Sequence, residues 1–354
     1  MQEKAAPLNI FISTPLEPEQ VEKIRAVAPD DVEVLFDPDL FPPLRYVADH
    51  KGVEGFQRTP EQDRRWRDYL GRADVLWDFA PKDADGTGGM DLAPNVKWAQ
   101  TTSSGVGQQV KNLGFQDSDL LVTTAKGVHA GPLSEFFLLA VLIHFKRLAH
   151  LKNEQAAHHW ERYCGEDLAG KTLAIVGVGA VGRRVAETAR FLGMRTIATD
   201  VVVSASQASE MGFDEFFPIE QLHEMLGEAD VLVLSVPHTP ETDKMIDAGA
   251  FNALKDGAVL VNIARGQVVD ELALIAALRS GKIAFAGLDV FEVEPLPPES
   301  PLWDMPNVLV SPHSASTVNS ENAKITDIFC HNIRCYLDGR LDDMRNVLDK
   351  ARMF

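Results

Sequence analysis

Short apolar runs alternate along this chain with stretches in which apolar positions return every three or four residues. Residues 8–12, 32–36, 75–79, 96–101 and 120–124 are runs of the first kind. They are rich in β-branched and aromatic residues and bounded by polar ones, which predicts strands. Val21, Ile24 and Val27 share one face of a helix over residues 17–27, and residues 63–70 read as another. Strands spaced by helices imply a small, mostly parallel sheet, since a parallel neighbour is reached through a crossover. Pro38, Pro42 and Pro43 interrupt this rhythm, and residues 41–60 are expected to be irregular and to shape or cover a cleft. Residues 81–89, irregular again, are a second candidate wall.

A long helix over residues 132–149 follows, with Pro132 suited to its first turn. Its stretch 136–145 is apolar on every side. That is about half of the roughly 20 residues a membrane span needs, so it predicts a helix buried all round, across a subunit interface. A second series of six strands is predicted at 172–176, 196–199, 231–235, 258–262, 284–288 and 308–310. The helix over 318–337 is expected to return to the first series. Residues 1–127 with 318–354 then form one domain and 128–317 the other, a division that suits a chain of 354 residues.

The first strand of the second series runs into Gly177-Val178-Gly179-Ala180-Val181-Gly182, and helical spacing continues from Arg183 to Leu192. Gly177 allows the tight turn, Gly179 lets a pyrophosphate approach the backbone, and Gly182 lets helix and strand pack closely. The next strand ends in Asp200, placed to accept hydrogen bonds from an adenosine ribose diol. Together these predict a dinucleotide-binding Rossmann domain with strand order 3-2-1-4-5-6, beside a smaller flavodoxin-like domain. Gly165 to Thr172 also matches a nucleotide-hydrolase phosphate loop, but it precedes a strand where that loop must follow one, so the match is by chance.

A net charge of −18 argues against nucleic acid or an anionic membrane surface as partner, and requires any anion site to gather positive charge locally. Three cysteines in a chain long enough to hold a core fit a reduced, cytoplasmic setting, and residues 1–7 carry no signal-peptide pattern. Cys330 and Cys335 flank His331 without a second ligand pair, and His158-His159 lacks partners at ligand spacing, so no metal is expected.

Three polar residues sit just past consecutive late strands: Arg265, Glu294 and His313. An arginine offers a planar fork to a carboxylate, a histidine delivers a proton near neutral pH, and a carboxylate fixes its tautomer. That set is suited to anchoring a 2-keto acid and protonating its ketone oxygen.

These residues lie in linked motifs: Val236-Pro237-His238-Thr239-Pro240-Glu241-Thr242, Val261-Asn262-Ile263-Ala264-Arg265-Gly266, Gly287-Leu288-Asp289-Val290-Phe291-Glu292-Val293-Glu294-Pro295 and Ser311-Pro312-His313-Ser314-Ala315-Ser316. With the glycine motif and Asp200, they make the chain resemble the D-isomer-specific 2-hydroxyacid dehydrogenases, which include glyoxylate and hydroxypyruvate reductases. The resemblance implies that Arg265 orients the substrate, His313 exchanges the proton and Glu294, not Glu292, partners His313. It places Ala180 and Val181 against the pyrophosphate and Asp289 on the nicotinamide amide. Pro237, Thr242, Ile263, Ala264 and Ser316 would line the cofactor groove. Ser103-Ser104-Gly105-Val106-Gly107 resembles the loop that holds the substrate carboxylate, a role carried to Ser104 and Gly105, although Gly107 stands where the family usually has aspartate. The family also implies a homodimer.

Asp200 repels the extra phosphate of NADP, and Val201-Val202-Val203 supplies no arginine to receive it, so NAD is the expected cofactor. An alternative reading is an NADH-sensing binding protein, like co-repressors that resemble this family, since a fold does not fix a function.

Overall fold

The structure, a computed structural model, describes residues 6–82, 86 and 88–352. Residues 1–5 of the N-terminal stretch, and 83–85 and 87 of the second candidate wall, lie outside the described residues. The chain forms two compact units, Met1–His129 with Thr317–Phe354, and Ala130–Ser316.

The first unit runs β1 (Leu8–Ile12), α1 (Pro18–Arg25), β2 (Val32–Leu35), α2 (Pro60–Arg72), β3 (Val75–Trp77), β4 (Trp98–Gln100), α3 (Gly107–Asn112) and β5 (Leu121–Thr123). Among the described residues its five strands are parallel in the order β2-β1-β3-β4-β5. Alternation along β1 sends Ile10 and Ile12 to one face and Phe11 to the other. Phe11 meets Trp66 of α2 edge-on at 5.0 Å, while Trp77 and Trp98 close on Phe329 at 5.5 and 5.1 Å on the opposite face. Helix α2 starts where it does because Thr59 and Gln62 make a reciprocal capping box with Pro60 in the first turn.

Residues 41–60 hold no strand, as expected, yet they are pinned. Buried Asp49 takes both Nε and Nη2 of Arg45 at 2.8 and 2.9 Å and the amide of Lys51 at 3.1 Å. The amide of Ala48 donates to Glu17 at the start of α1, at 3.0 Å.

The second unit runs α4 (Ala130–Phe145), α5 (Leu148–Ala156), β6 (Thr172–Val176), α6 (Ala180–Phe191), β7 (Arg195–Thr199), α7 (Ala205–Glu210), β8 (Glu215–Phe216), α8 (Leu222–Gly227), β9 (Val231–Leu234), α9 (Ala248–Ala253), β10 (Ala258–Asn262), α10 (Glu271–Ser280), β11 (Ile283–Leu288) and β12 (Val308–Val310). The last helix, α11 (Glu321–Leu337), belongs to the first unit. The second sheet is parallel with the order β12-β11-β10-β9-β6-β7-β8. It has seven strands where the sequence predicts six: the short β8 takes the third place of the 3-2-1-4-5-6 order and β12 extends the far edge. Leu173 and Ile175 face α4 and α6, and Ala174 and Val176 face the opposite layer, so both sides of β6 are buried.

One expectation about the long helix fails. It ends at Phe145, because Arg147 turns left-handed with φ 54° and a separate helix restarts at Leu148. Within the single chain, Phe136, Phe137, Ala140 and Val141 pack inward and Leu139 is 48% exposed. Among the described residues no helix is long and apolar enough to cross a membrane.

Candidate active site

The glycine turn after β6 fits a dinucleotide on steric grounds. Gly177 has φ +99°, and a Cβ there would meet Val236 Cγ1 at 2.8 Å and Ser235 O at 2.9 Å. A Cβ on Gly182 would lie 2.1 Å from the carbonyl oxygen of Gly177, so α6 packs on the turn only without a side chain. At Gly179 a Cβ would meet nothing within 4 Å. Gly179 also starts α6 without a side-chain cap, leaving the first amides of that helix, from Ala180 and Val181 on, for an anion. Asp200, at the end of β7, has a task beyond the one expected of it: Oδ2 accepts from the amide of Val178 at 2.6 Å, and Oδ1 from those of Val202 and Val203 at 2.7 and 3.1 Å. The carboxylate is thus fixed against the glycine turn by backbone donors.

The remaining cofactor candidates follow the carboxyl ends of the other strands. Pro237 follows β9, and Thr242 closes that loop by donating to the Pro237 carbonyl at 2.8 Å. Ile263 and Ala264 follow β10 and are buried; Ser316 lies beyond β12 and is half-buried. Asp289, after β11, is 2% exposed. Its Oδ1 accepts from Ser311 Oγ at 2.6 Å and from the amides of Ser314 and Ala315, both at 2.9 Å. It therefore fastens the loop after β12, which carries His313, onto the end of β11.

His313 and Glu294 come together: Nδ1 and Oε2 lie 2.8 Å apart. The backbone amide of His313 donates to the carbonyl of Asp289 at 2.9 Å, and its φ is +54°. Glu294 is oriented in turn by the amide of Phe291, which donates to Oε1 at 3.1 Å. With Nδ1 committed to Glu294, Nε2 is the ring atom left for a ligand. The hydrogen bond to Glu294 raises the pKa of His313, against burial and the Arg265 charge, which lower it. Burial pushes the Glu294 carboxyl up, but the bonds from His313 and Phe291 and the nearby positive charges hold it below its ordinary value. The pair is biased toward imidazolium and carboxylate.

Arg265 reaches this neighbourhood because two loops touch. A Cβ on Gly266 would fall 1.8 Å from the carbonyl oxygen of Phe291, so the loop after β10 lies directly on the loop that carries Glu294. Asn262, 2% exposed, staples the Arg265 loop: Oδ1 accepts from the amide of Ala264 at 3.1 Å and Nδ2 donates to the carbonyl of Arg265 at 3.2 Å. Arg265 Nη1 donates to the carbonyl of Ala264 at 2.7 Å. Glu292 turns elsewhere, pairing with Lys244 at 2.8 Å.

In the first unit, Ser104 and Gly105 lie on the loop between β4 and α3; Ser104 is half-buried, Gly105 exposed, and Ser104 Oγ lies 3.0 Å from His129 Nδ1.

The chain matches the model of the D-isomer-specific 2-hydroxyacid dehydrogenase NAD-binding domain over residues 138–315. It is 35% identical over 243 residues to a glyoxylate reductase of Korarchaeum cryptofilum (strain OPF8), a match covering 65% of this chain and 72% of that one. The chain belongs to the D-isomer-specific 2-hydroxyacid dehydrogenases. A D-3-phosphoglycerate dehydrogenase of Archaeoglobus fulgidus is 33% identical over 246 residues, 69% of this chain but only 46% of the longer relative. The crystal structure of a family member from Xanthobacter autotrophicus Py2, in complex with NADPH and MES, superposes with a TM-score of 0.74 at 28% identity, covering 99% of this chain and 100% of that one. A nicotinamide dinucleotide is accordingly the cofactor of this family's fold, and the open space at Gly179 fits one.

Sequence reasoning passed over three residues that hold this dehydrogenase's site together: Asn262, Gly266 and Ser311. Their signal was faint but present, in a polar residue closing an apolar strand and a glycine directly after the arginine. It also misread His159, whose Nδ1 contacts Glu154 and which gathers Glu154 and Glu161 at the surface, within reach of one another. Cys335 Sγ lies 3.5 Å from His331 Nε2, and Cys330 turns to the carbonyl of Lys23.

Proposed function

We propose that this dehydrogenase interconverts a small 2-keto acid and its D-2-hydroxy acid with NAD as cofactor. The observation that carries the reading is the 2.8 Å His313–Glu294 pair, set on adjacent strand-end loops with Arg265. In reduction, the Arg265 fork pairs with the substrate carboxylate, helped by Ser104 and the backbone at Gly105. The bound nicotinamide supplies the hydride to the keto carbon. As charge grows on the ketone oxygen, His313 Nε2–H donates its proton there, and Glu294 stabilises the imidazolium until that moment. In oxidation the neutral imidazole takes the proton back from the hydroxyl.

Reduction needs the imidazolium, so kcat/KM is highest at low pH and falls as pH rises through the His313 pKa. Glu294→Gln removes the bond that raises that pKa, and its fall is expected at lower pH than in the wild type. Rate profiles of the two proteins check this; coincident profiles would refute the pairing.

NAD is favoured over NADP because the Asp200 carboxylate is held rigidly by three amides where a 2′-phosphate would approach, and exposed Val201 and Val202 offer it no cation. The expected kcat/KM is at least about tenfold higher with NADH than with NADPH, since one uncompensated like-charge contact is worth about 1.4 kcal/mol or more. A preference for NADPH would overturn this choice. The glyoxylate reductase relative supports a small keto acid as substrate.

The working form is proposed to be a homodimer. Leu139 on α4, Leu148 and Leu151 on α5 and Trp160, 96% exposed, leave apolar area uncovered on the second unit. Sedimentation velocity is expected to show two chains; a monomer at micromolar concentration would contradict it.

A further inference from the structure

A buried polar chain lies beneath the Ser104 loop of the first unit. Ser104 Oγ is 3.0 Å from His129 Nδ1, and His129 Nε2 is 3.2 Å from Glu321 Oε1 at the start of α11. His50, from the pinned 41–60 segment, brings its Nε2 to 3.5 Å from the same oxygen. His129 and Glu321 side chains are only 14% and 7% exposed. The cluster sits at the carboxyl ends of the strands around the point where β1 and β3 send the chain to opposite sides, the place where such sheets bind ligands. Glu321 Oε2, Asn322 Oδ1 and Thr14 Oγ1 are buried there without a hydrogen-bond partner among the described residues.

Hydrogen counting constrains this chain. Burial pushes the Glu321 carboxyl up, but the bond from His129 and the adjacent His50 bring its pKa down to about 2, so it is an acceptor only. His129 Nε2 must then carry a hydrogen. In a neutral ring Nδ1 is therefore bare, and Ser104 spends its single hydroxyl hydrogen on it. A substrate carboxylate accepts only, so Ser104 serves it without stranding a bare Nδ1 when Nδ1 is also protonated and the hydroxyl turns outward.

We propose that His129 is a positioning residue that takes up a proton when a substrate carboxylate docks on Ser104, turning that hydroxyl from the imidazole to the anion. This rests on the reading of Ser104 as a substrate contact. The charged groups around the ring are Glu321 from α11 and His50 from the 41–60 segment. Asp78 beyond β3 acts electrostatically on His50. Glu17, just before α1, is already held by Asn322 Nδ2 at 2.8 Å and the Ala48 amide at 3.0 Å. Glu321 is therefore the anion in contact with the ring.

The test is the alkaline limb of kcat/KM for glyoxylate reduction with NADH. In the wild type it should fall with the loss of two protons, one from His313 and one from His129. His129→Asn places an amide donor where Nδ1 stood, and Ser104→Ala leaves His129 and Glu321 intact while removing the hydroxyl. Each should leave a one-proton fall, with Ser104→Ala raising KM by about tenfold, the worth of one charge-assisted bond. The change should appear in KM rather than kcat. A one-proton fall in the wild type, or a two-proton fall persisting in both variants, overturns the relay alone. No NADH consumption by the wild type with any 2-keto acid overturns the proposed activity and the relay with it.

Discussion

Replacing His313 by glutamine or alanine is expected to lower kcat for keto-acid reduction by about 10²- to 10⁴-fold, the usual contribution of a positioned general acid. Neither side chain holds a proton to release near neutral pH. NADH should still bind, because the glycine turn and Asp200 follow β6 and β7 and owe nothing to the imidazole. Equilibrium binding of NADH by fluorescence, beside steady-state rates, separates the two effects. Position 313 holds a non-glycine residue at φ +54°, so an unbranched replacement is preferred to a β-branched one there, and glutamine and alanine are compared for that reason. Undiminished turnover in His313→Gln would remove the proposed proton source.

Arg265→Ala is the second large effect. A methyl stub cannot fork onto a carboxylate, and losing one partner of a desolvated charged pair costs about 3 to 4 kcal/mol, or 10²- to 10³-fold in kcat/KM. Arg265→Lys should recover only part, as a point charge lacks the planar fork. The same substitution has an independent signature. The Arg265 charge lowers the His313 pKa, so its removal should carry the alkaline fall of the rate to higher pH, opposite to Glu294→Gln. Steady-state profiles of the three proteins distinguish an arginine that binds substrate from one that merely supports the loop.

The parts of this molecule that were legible in its sequence are those where geometry admits few residues. Gly177, Gly179 and Gly182 each answer a different steric demand, so a strand, a turn and a helix could be read from one decapeptide. Arg265, Glu294 and His313 were legible because each follows an apolar run, and parallel topology sends such positions to one rim. Strand β8 escaped because Glu215-Phe216 is too short to show any period, and its pairing with β7 comes from tertiary context. The break at Arg147 escaped because no glycine or proline marks its left-handed turn. Asp200 was read for the cofactor alone, since the amides that hold it come from a turn whose closure the sequence does not print. The contact between His129 and Glu321 joins residues 192 positions apart, and neither sits in an apolar pattern that would point to the other.

The central claim is that His313, protonated beside Glu294, completes the reduction of a 2-keto acid. The most direct measurement follows the NADH absorbance after adding glyoxylate, hydroxypyruvate or pyruvate to the wild type and to His313→Gln. Steady decay in the wild type with at least one of these acids, and decay slowed at least about a hundredfold in the variant, is the expected result. Silence of the wild type across the whole panel, or equal decay in both proteins, would contradict it.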